Sequence, residues 1–422
     1  MKNFKKNIAL LLSATLILTF ASCAKSAKDG DFEYAVDEVD GTTEAELAFG
    51  YDADVAVSDS MLPEFSDSDP DSDLRAIDNV IINGENTTPQ AGKLTAGAWS
   101  DNDNFAFWQE VLSRDTFVEH ENTWGMYASR RITFTLVDQA GSPVSNQKVE
   151  LMAGDDDIWE AVTDNTGTAY LFVDPFHATT QITPTAVKVG SQLFPIEGDA
   201  VNGTAMGVLS RTTELDVCFV VDTTGSMGDE LDYLQEEIRD VIGRVAQENA
   251  NADIRVGLVF YRDDDDEYVT KVFDFSADMS RVTKNLSGQS ADGGGDFPEA
   301  VHTALDKAEA LSWRPTATKL AFLVADAPAH SEVKKTVEAM RELYEDYAEE
   351  GIRLIPIASS GVDESTELLF RSGAVLTGGE YLFLTNHSGV GESHLEPTIG
   401  DYEVKALNDL LVETINRFFE MK

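Results

Sequence analysis

Asp222, Thr224 and Ser226 place three oxygen side chains on alternate residues, directly after the apolar run Val217 to Val221. No histidine or cysteine stands among them. Carboxylate and hydroxyl oxygens are hard ligands, suited to Mg²⁺, Mn²⁺ or Ca²⁺ rather than to a soft transition metal. The chain has only two cysteines, Cys23 and Cys218, which excludes a disulfide framework and a thiolate zinc site. Ser226 also lies in Thr-Gly-Ser-Met-Gly. A nucleophile elbow needs glycine where Thr224 stands, so the serine reads as a ligand and the chain as a non-enzyme.

Positioning such a turn takes a buried strand before it and a helix after it. A short continuous apolar run suits a strand covered on both faces, and open α/β sheets bind ligands at the carboxyl ends of their strands. Behind Ser226, Leu231, Leu234, Ile238, Val241, Ile242 and Val245 recur at helical spacing, with Asp229, Glu230 and Asp232 at the start. Further strands are expected over 254–261, 268–275, 352–358 and 381–384. Another apolar strand, Leu320 to Ala325, runs into Asp326. Helices are expected over 332–349, ending at Gly351, and over 404–419. Strands alternating with helices across residues 214–422 predict an α/β domain with a doubly wound, mostly parallel sheet.

Asp222-Thr-Thr-Gly-Ser226, followed by Met227, resembles the DxSxS signature of von Willebrand factor A domains, with Thr224 as an accepted hydroxyl. The resemblance covers Leu215 to about Phe419. It implies a metal-ion-dependent adhesion site whose divalent cation, Mg²⁺ before Mn²⁺ or Ca²⁺, is held from three loops. Asp222, Thr224 and Ser226 come from the first loop and Asp326 from the third. The second loop of the family offers threonine after a glycine pair, whereas Gly293-Gly-Gly-Asp-Phe-Pro298 puts Asp296 there. Bacterial members with Gly-Gly-Gly-Asp-x-Pro-Glu are similar, as are Phe260-Tyr-Arg-Asp263 and Ala325-Asp-Ala-Pro-Ala-His330. Three carboxylates make an ion less electrophilic than two and weaken its hold on an anionic ligand.

The remainder of the chain reads as a carrier for this domain. Residues 1–22 have the form of an export signal: Lys2, Lys5 and Lys6, an apolar core from Ile8 to Phe20, then Ala21-Ser22. Phe-Ala-Ser-Cys resembles the lipobox of bacterial lipoproteins, which implies cleavage before Cys23 and lipidation of its thiol. Residues 23–92 are expected to be a disordered tether, since no lysine or arginine occurs from Asp29 to Asp73 while acids recur throughout. Residues 93–127, with Trp99, Phe105, Phe107, Trp108 and Trp124, read as a packing junction. Residues 128–213 alternate apolar and polar positions between turns, the pattern of a small antiparallel β-sandwich. The phrases from Asp138 and Ala161 resemble carboxypeptidase-regulatory-like or Ig-like modules.

A formal charge of −45 excludes nucleic acid as a partner and disfavours anionic lipid headgroups. The expectation is a lipid-anchored protein of the bacterial cell envelope that binds a protein partner through the cation, with a partner's acidic side chain completing the metal shell. An envelope assembly or sensor subunit is the alternative, and a metal-dependent hydrolase a weaker one. The run Asp263 to Glu267 reads as a solvated loop before a second cation site. His302 and His330 read as ordinary hydrogen-bonded residues.

Overall fold

The computed structural model describes residues 80–82, 85–87, 89–206, 212–295 and 297–420. The export signal, Cys23, the acidic stretch to residue 79 and Asp296 lie outside them. Within the body 74–422 the chain begins with a hairpin, β1 (Val80–Ile82) and β2 (Glu85–Thr87), at the end of the stretch expected as tether. Next come β3 (Thr95–Trp99) and helices α1 (Phe105–Leu112) and α2 (Asp115–Trp124). Seven short strands follow: β4 (Arg131–Val137), β5 (Lys148–Ala153), β6 (Asp156–Val162), β7 (Thr168–Phe172), β8 (Ala186–Val189), β9 (Gln192–Pro195) and β10 (Ala200–Thr204).

The second half contains β11 (Glu214–Asp222), α3 (Leu231–Glu248), β12 (Asp253–Tyr261), β13 (Thr270–Ser276), α4 (Met279–Leu286) and α5 (Val301–Glu309). It continues with β14 (Thr318–Ala325), α6 (Lys334–Glu350), β15 (Ile352–Ala358), α7 (Glu364–Thr377), β16 (Tyr381–Leu384), β17 (Lys405–Ala406) and α8 (Leu407–Phe419). Its sheet has eight strands in the order β13-β12-β11-β14-β15-β16-β3-β17. The five strands β12, β11, β14, β15 and β16 are parallel, and antiparallel neighbours flank them. An α/β fold with a mixed sheet is therefore present.

Strand β11 shows why the apolar run was legible. Leu215, Val217, Phe219 and Val221 pack into one buried cluster with α3, α4 and α8, while Cys218 and Val220 join the opposite cluster with α5, α6 and α7. Both faces are covered, so the strand has no solvent-facing positions to be polar. Phe219 stacks on Phe322 of β14 with ring centroids 5.2 Å apart, adding an aromatic contact to the apolar burial.

The aromatic stretch before the small sheets does more than join domains. β3 enters the large sheet beside β16, in the register Leu382↔Ala98 and Phe383↔Gly97. At Gly97 a Cβ would lie 2.5 Å from the Phe383 ring and 2.7 Å from that of Tyr402, so no larger residue fits. The buried Glu237 carboxylate of α3 accepts the backbone N–H groups of Gly92, Lys93 and Leu94 at 2.7, 3.0 and 3.0 Å, fixing the entry of β3. Trp108 and Trp124 are fully buried in the cluster that also receives α6 and α7. Residues 131–204 are thus inserted between two strands of one sheet.

The inserted strands form a three-stranded sheet, β10-β4-β7, and a four-stranded sheet, β6-β5-β8-β9. Ile132, Phe134 and Leu136 point inward as the alternation predicts. The all-antiparallel expectation fails at one pairing: β10 runs parallel to β4, because the chain reaches it from the other sheet rather than by a hairpin. Lys148 bridges Glu160 at 2.6 Å and Glu349 of α6 at 3.0 Å, and Arg353 donates to the Val162 carbonyl. These contacts brace the insertion against the helices of the large domain.

Two buried charge arrangements here carry measurable consequences. Arg371 of α7 is fully buried and donates to Asp101 at 2.6 and 2.8 Å, to Glu367 at 2.7 Å and to the Thr398 carbonyl at 2.8 Å. Arg371→Met strands two buried carboxylates and is expected to cost about 3–5 kcal/mol in urea unfolding; a loss below about 1 kcal/mol would show the network to be dispensable. Glu121 of α2 is 8% exposed, and burial pushes its carboxyl up to about 7. Its folded-state affinity for the proton exceeds that of the unfolded chain, so stability falls as pH rises from about 4.5 through 7. Glu121→Gln removes that loss. The variant should gain about 1–3 kcal/mol over wild type at pH 8 and almost nothing at pH 4, which parallel melts at the two pH values will decide.

Candidate functional site

The parallel register delivers the chain to one end of the sheet with little freedom. Asp222 ends β11 opposite Tyr261, and Val221 lies opposite Val324, two residues before Asp326. Beyond the strand, the Asp222 carboxylate is completely buried. Its Oδ1 accepts the Thr224 backbone N–H at 2.9 Å and the Thr224 hydroxyl at 2.8 Å. Thr224 Oγ1 is in turn 3.0 Å from Ser226 Oγ. A short 3₁₀ turn, Gly225–Asp229, separates this loop from α3, so the helix begins later than the acids after Ser226 indicate.

A second loop is laced to the first. Gly225 donates to the Gly293 carbonyl at 3.0 Å, and Asp292 donates to that of Thr223 at 3.1 Å. Arg262 ties both loops through the carbonyls of Thr223 and Ser290 at 3.1 and 3.0 Å. Gly294 has φ +72°, and a Cβ there would meet Glu299 Oε1 at 3.0 Å and Thr224 Cβ at 3.2 Å. Glycine therefore lets this loop pass between Thr224 and Glu299. The third loop follows β14, and the Glu299 N–H donates to the Pro328 carbonyl at 2.9 Å, joining loops two and three.

Glu299 is the side chain that the sequence reading passed over. It is 2% exposed, with Oε2 buried and without a hydrogen-bond partner among the described residues. Burial, with Asp222, Asp263 and Asp326 nearby, pushes its carboxyl up to about 9. Asp222 Oδ2 and Asp326 Oδ1 are likewise buried without partners. Burial and then Asp326 raise Asp222. Burial raises Asp326 too, with the Ser226 hydroxyl opposing and Glu230 adding to the rise. The Tyr261 hydroxyl faces Asp222 without a well-aligned hydrogen bond.

The first loop and Asp326 thus lie side by side, with the Ser226 hydroxyl against the Asp326 carboxyl. Ser226, Glu299 and Asp326 line a cavity of about 200 Å³, together with Phe297, Ser360 and Glu392. Asp296, the candidate from the second loop, lies outside the described residues. Glu299 follows it by three positions and sits in the same Gly-Gly-Gly-Asp-Phe-Pro-Glu phrase, which was its only signal. Among the described residues, no three His, Cys, Asp or Glu side chains are grouped closely enough to hold a metal ion. The donor set still fits a hard cation: hydroxyls from Thr224 and Ser226, plus three buried carboxyl oxygens that nothing else satisfies.

The neighbouring acids have structural tasks. Asp266 Oδ2 accepts the N–H groups of Gly294 and Asp263 at 2.9 and 3.0 Å, holding the glycine loop. Asp263 lies 2.9 Å from His330 Nε2, and Glu332 lies 2.7 Å from its Nδ1. Burial opposes the charge on His330, but the two carboxylates outweigh it and raise its pKa. His394 spans Glu230 at 2.9 Å and Asn386 Oδ1 at 3.1 Å. His302 is half-buried with Nδ1 unpartnered, and burial lowers its pKa.

Comparison with known proteins bears on the second half of the chain. Residues 216–347 match the von Willebrand factor A domain family. A segment of 117 residues, 28% of this chain, is 31% identical to the alpha-protein kinase vwkA of Dictyostelium discoideum and covers 19% of it. A segment of 129 residues, 31% of this chain, is 29% identical to the ariadne-like RING finger protein R811 of Acanthamoeba polyphaga mimivirus and covers 12% of that protein. The chain thus spans less than a fifth of either relative. Among solved structures, a conserved hypothetical protein BatB from Bacteroides thetaiotaomicron superposes with a TM-score of 0.30 and 15% identity, over 42% of this chain and 93% of that one. Residues 216–347 of the chain are a von Willebrand factor A domain.

Proposed function

We propose that the chain is an interaction protein whose A domain holds a divalent cation at Asp222, Thr224, Ser226 and Asp326, with Asp296 and Glu299 on the second loop, and binds a protein partner there. The carrying observation is the three orphaned carboxyl oxygens, Asp222 Oδ2, Glu299 Oε2 and Asp326 Oδ1, buried at the carboxyl end of a parallel sheet. Leaving one such group unsatisfied costs about 1–3 kcal/mol, more when it is charged. A cation removes that cost for all three. A bound cation would neutralise the acids and supply a Lewis-acidic point of attachment for a partner group. The chain's own residues hold the three loops in register around the cavity.

The reading is of a binding protein rather than an enzyme, because Ser226 has Thr224 and Asp326 as its hydroxyl partners and no imidazole. The activity of the kinase relative lies in a protein of which the matched segment covers 19%, and we do not extend it to this chain. The proposed location is the bacterial envelope, by export and lipidation at Cys23. No helix among the described residues is long and apolar enough to cross a membrane.

Metal addition tests the site directly. At a cation concentration 100 times Kd, the native state gains about 2.7 kcal/mol, or roughly 5–10 °C in Tm for a domain of this size. Wild type should show that rise with Mg²⁺ or Mn²⁺, and Asp222→Ala and Glu299→Gln should lose most of it. Equal rises in all three proteins would overturn the assignment. Partner capture from envelope extracts should fall with EDTA and with Asp222→Ala, and unchanged recovery would remove the cation from the interaction. For the anchor, radiolabelled palmitate should enter the wild-type chain expressed in a bacterial host and be absent from Cys23→Ser. Label in both would place the lipid elsewhere.

A further inference from the structure

The mouth of the cavity has a charge and a shape that the cation alone does not use. Its lining includes Glu299, Asp326 and Glu392 and no lysine or arginine. Glu299 and Asp326 line it while only 2% and 5% exposed, and each has a buried oxygen with no hydrogen-bond partner among the described residues. Glu392 is exposed at the rim, as is Phe297, whose side chain is 44% exposed although it is large and apolar. Behind the lining stand Asp222, fully buried, and Asp229, whose Oδ1 is buried without a partner.

Nearby basic side chains are already engaged. Arg262 is directed at two backbone carbonyls, His330 lies between Asp263 and Glu332, and His394 is held by Glu230 and Asn386. A single divalent cation set against Asp222, Glu299 and Asp326 leaves about one negative charge, and Glu392 adds another outside it. An incoming carboxylate meets that surplus at short range, where like charges repel strongly. A basic side chain is attracted by it, and an exposed aromatic ring beside the acids is a surface over which a cation is stabilised.

We infer that the partner segment received at this cavity is basic: a lysine or arginine side chain lies across Phe297 and ends at Glu392, above the ion. The inference rests on the cation reading of the same site. It departs from the acidic partner that the family resemblance implies, and the departure comes from Glu299 and Glu392.

The test uses the full chain with 2 mM MgCl₂ at about 150 mM NaCl, where the Debye length of about 8 Å suppresses the attraction of the distant acids. Two capped decapeptides on a Gly/Ser background, one with four lysines and one with four glutamates, are titrated by fluorescence anisotropy. The lysine peptide should bind wild type at least ten-fold more tightly than the glutamate peptide. Glu392→Lys should weaken the lysine peptide about ten-fold and strengthen the glutamate peptide. Phe297→Ala should weaken the lysine peptide three- to five-fold. Glu197→Lys makes the same charge change on an exposed residue of the inserted sheets and should alter neither by more than two-fold. Equal losses for Glu392→Lys and Glu197→Lys, or tighter binding of the glutamate peptide to wild type, would overturn the inference. Mn²⁺ binding, followed by its electron paramagnetic resonance signal, separates the two readings. Glu392→Lys and Phe297→Ala should keep the ion, so lost peptide selectivity with metal retained is a result about the partner. Retention of Mn²⁺ by Asp222→Ala refutes the cation site instead.

Discussion

Strand β11 carries a buried carboxylate at each end, and only one of them is compensated. At its start, Asp216 is fully buried and accepts Arg255 at 2.7 and 2.9 Å and Arg314 at 2.7 and 3.0 Å. Burial opposes its ionisation, but the two guanidinium groups prevail and hold it below the usual carboxylate range. At its other end, Asp222 is equally buried, has no guanidinium partner, and is raised by burial and Asp326. The same strand, in the same dry sheet, thus shows a buried acid satisfied by guanidinium groups and a buried acid without such a partner.

The loops are built around that second end. Three segments distant in sequence, at Ser226, Glu299 and Asp326, reach one cavity because parallel strands β11 and β14 end in register and the glycine loop is pinned to both. Asp266 and Arg262 hold the pinning in place through backbone groups, leaving their charge out of the cavity. The DDDDE run is therefore partly structural: Asp263 and Asp266 have defined partners, and the reading of a wholly solvated loop holds only for their neighbours. On the far edge of the sheet, β3 and its Glu237 anchor make the domain depend on residues that precede the inserted strands.

Much of the large sheet was legible because burial on both faces writes continuous apolar runs, as in β11, β14 and β15. Helix α3 was legible by its spacing, and Gly351 closes α6 with φ +69°, as a C′ glycine should. Strand β3 was not legible. Thr-Ala-Gly-Ala-Trp has too few large apolar residues to read as a buried strand, because Phe383 and Tyr402 fill the volume above Gly97. Helix α7 was missed for another reason. Arg371 and Glu367 interrupt its apolar pattern, yet both are buried and satisfied by tertiary partners that no local period reveals. In the site, spacing exposed Asp222, Thr224 and Ser226, whereas Glu299 required knowing that the second loop folds back beneath Pro328.

The surplus of acid at the cavity also separates holding a cation from using it. Each added carboxylate strengthens the grip on a divalent ion and reduces the pull of that ion on an anionic partner. On the proposed cation reading, Glu299 would favour retention over electrophilicity, with its proton leaving when the ion arrives. Burial and neighbouring acids raise the Glu299 carboxyl to about 9, which favours the protonated form near neutral pH. On that same reading, metal uptake would displace that proton. The same group can then spare the apo fold a third buried anion and supply the ion with a third ligand. A neutral hydroxyl in place of Glu299 could do neither, and on the proposed cation reading this extra acid changes which partner charge the cavity can accept.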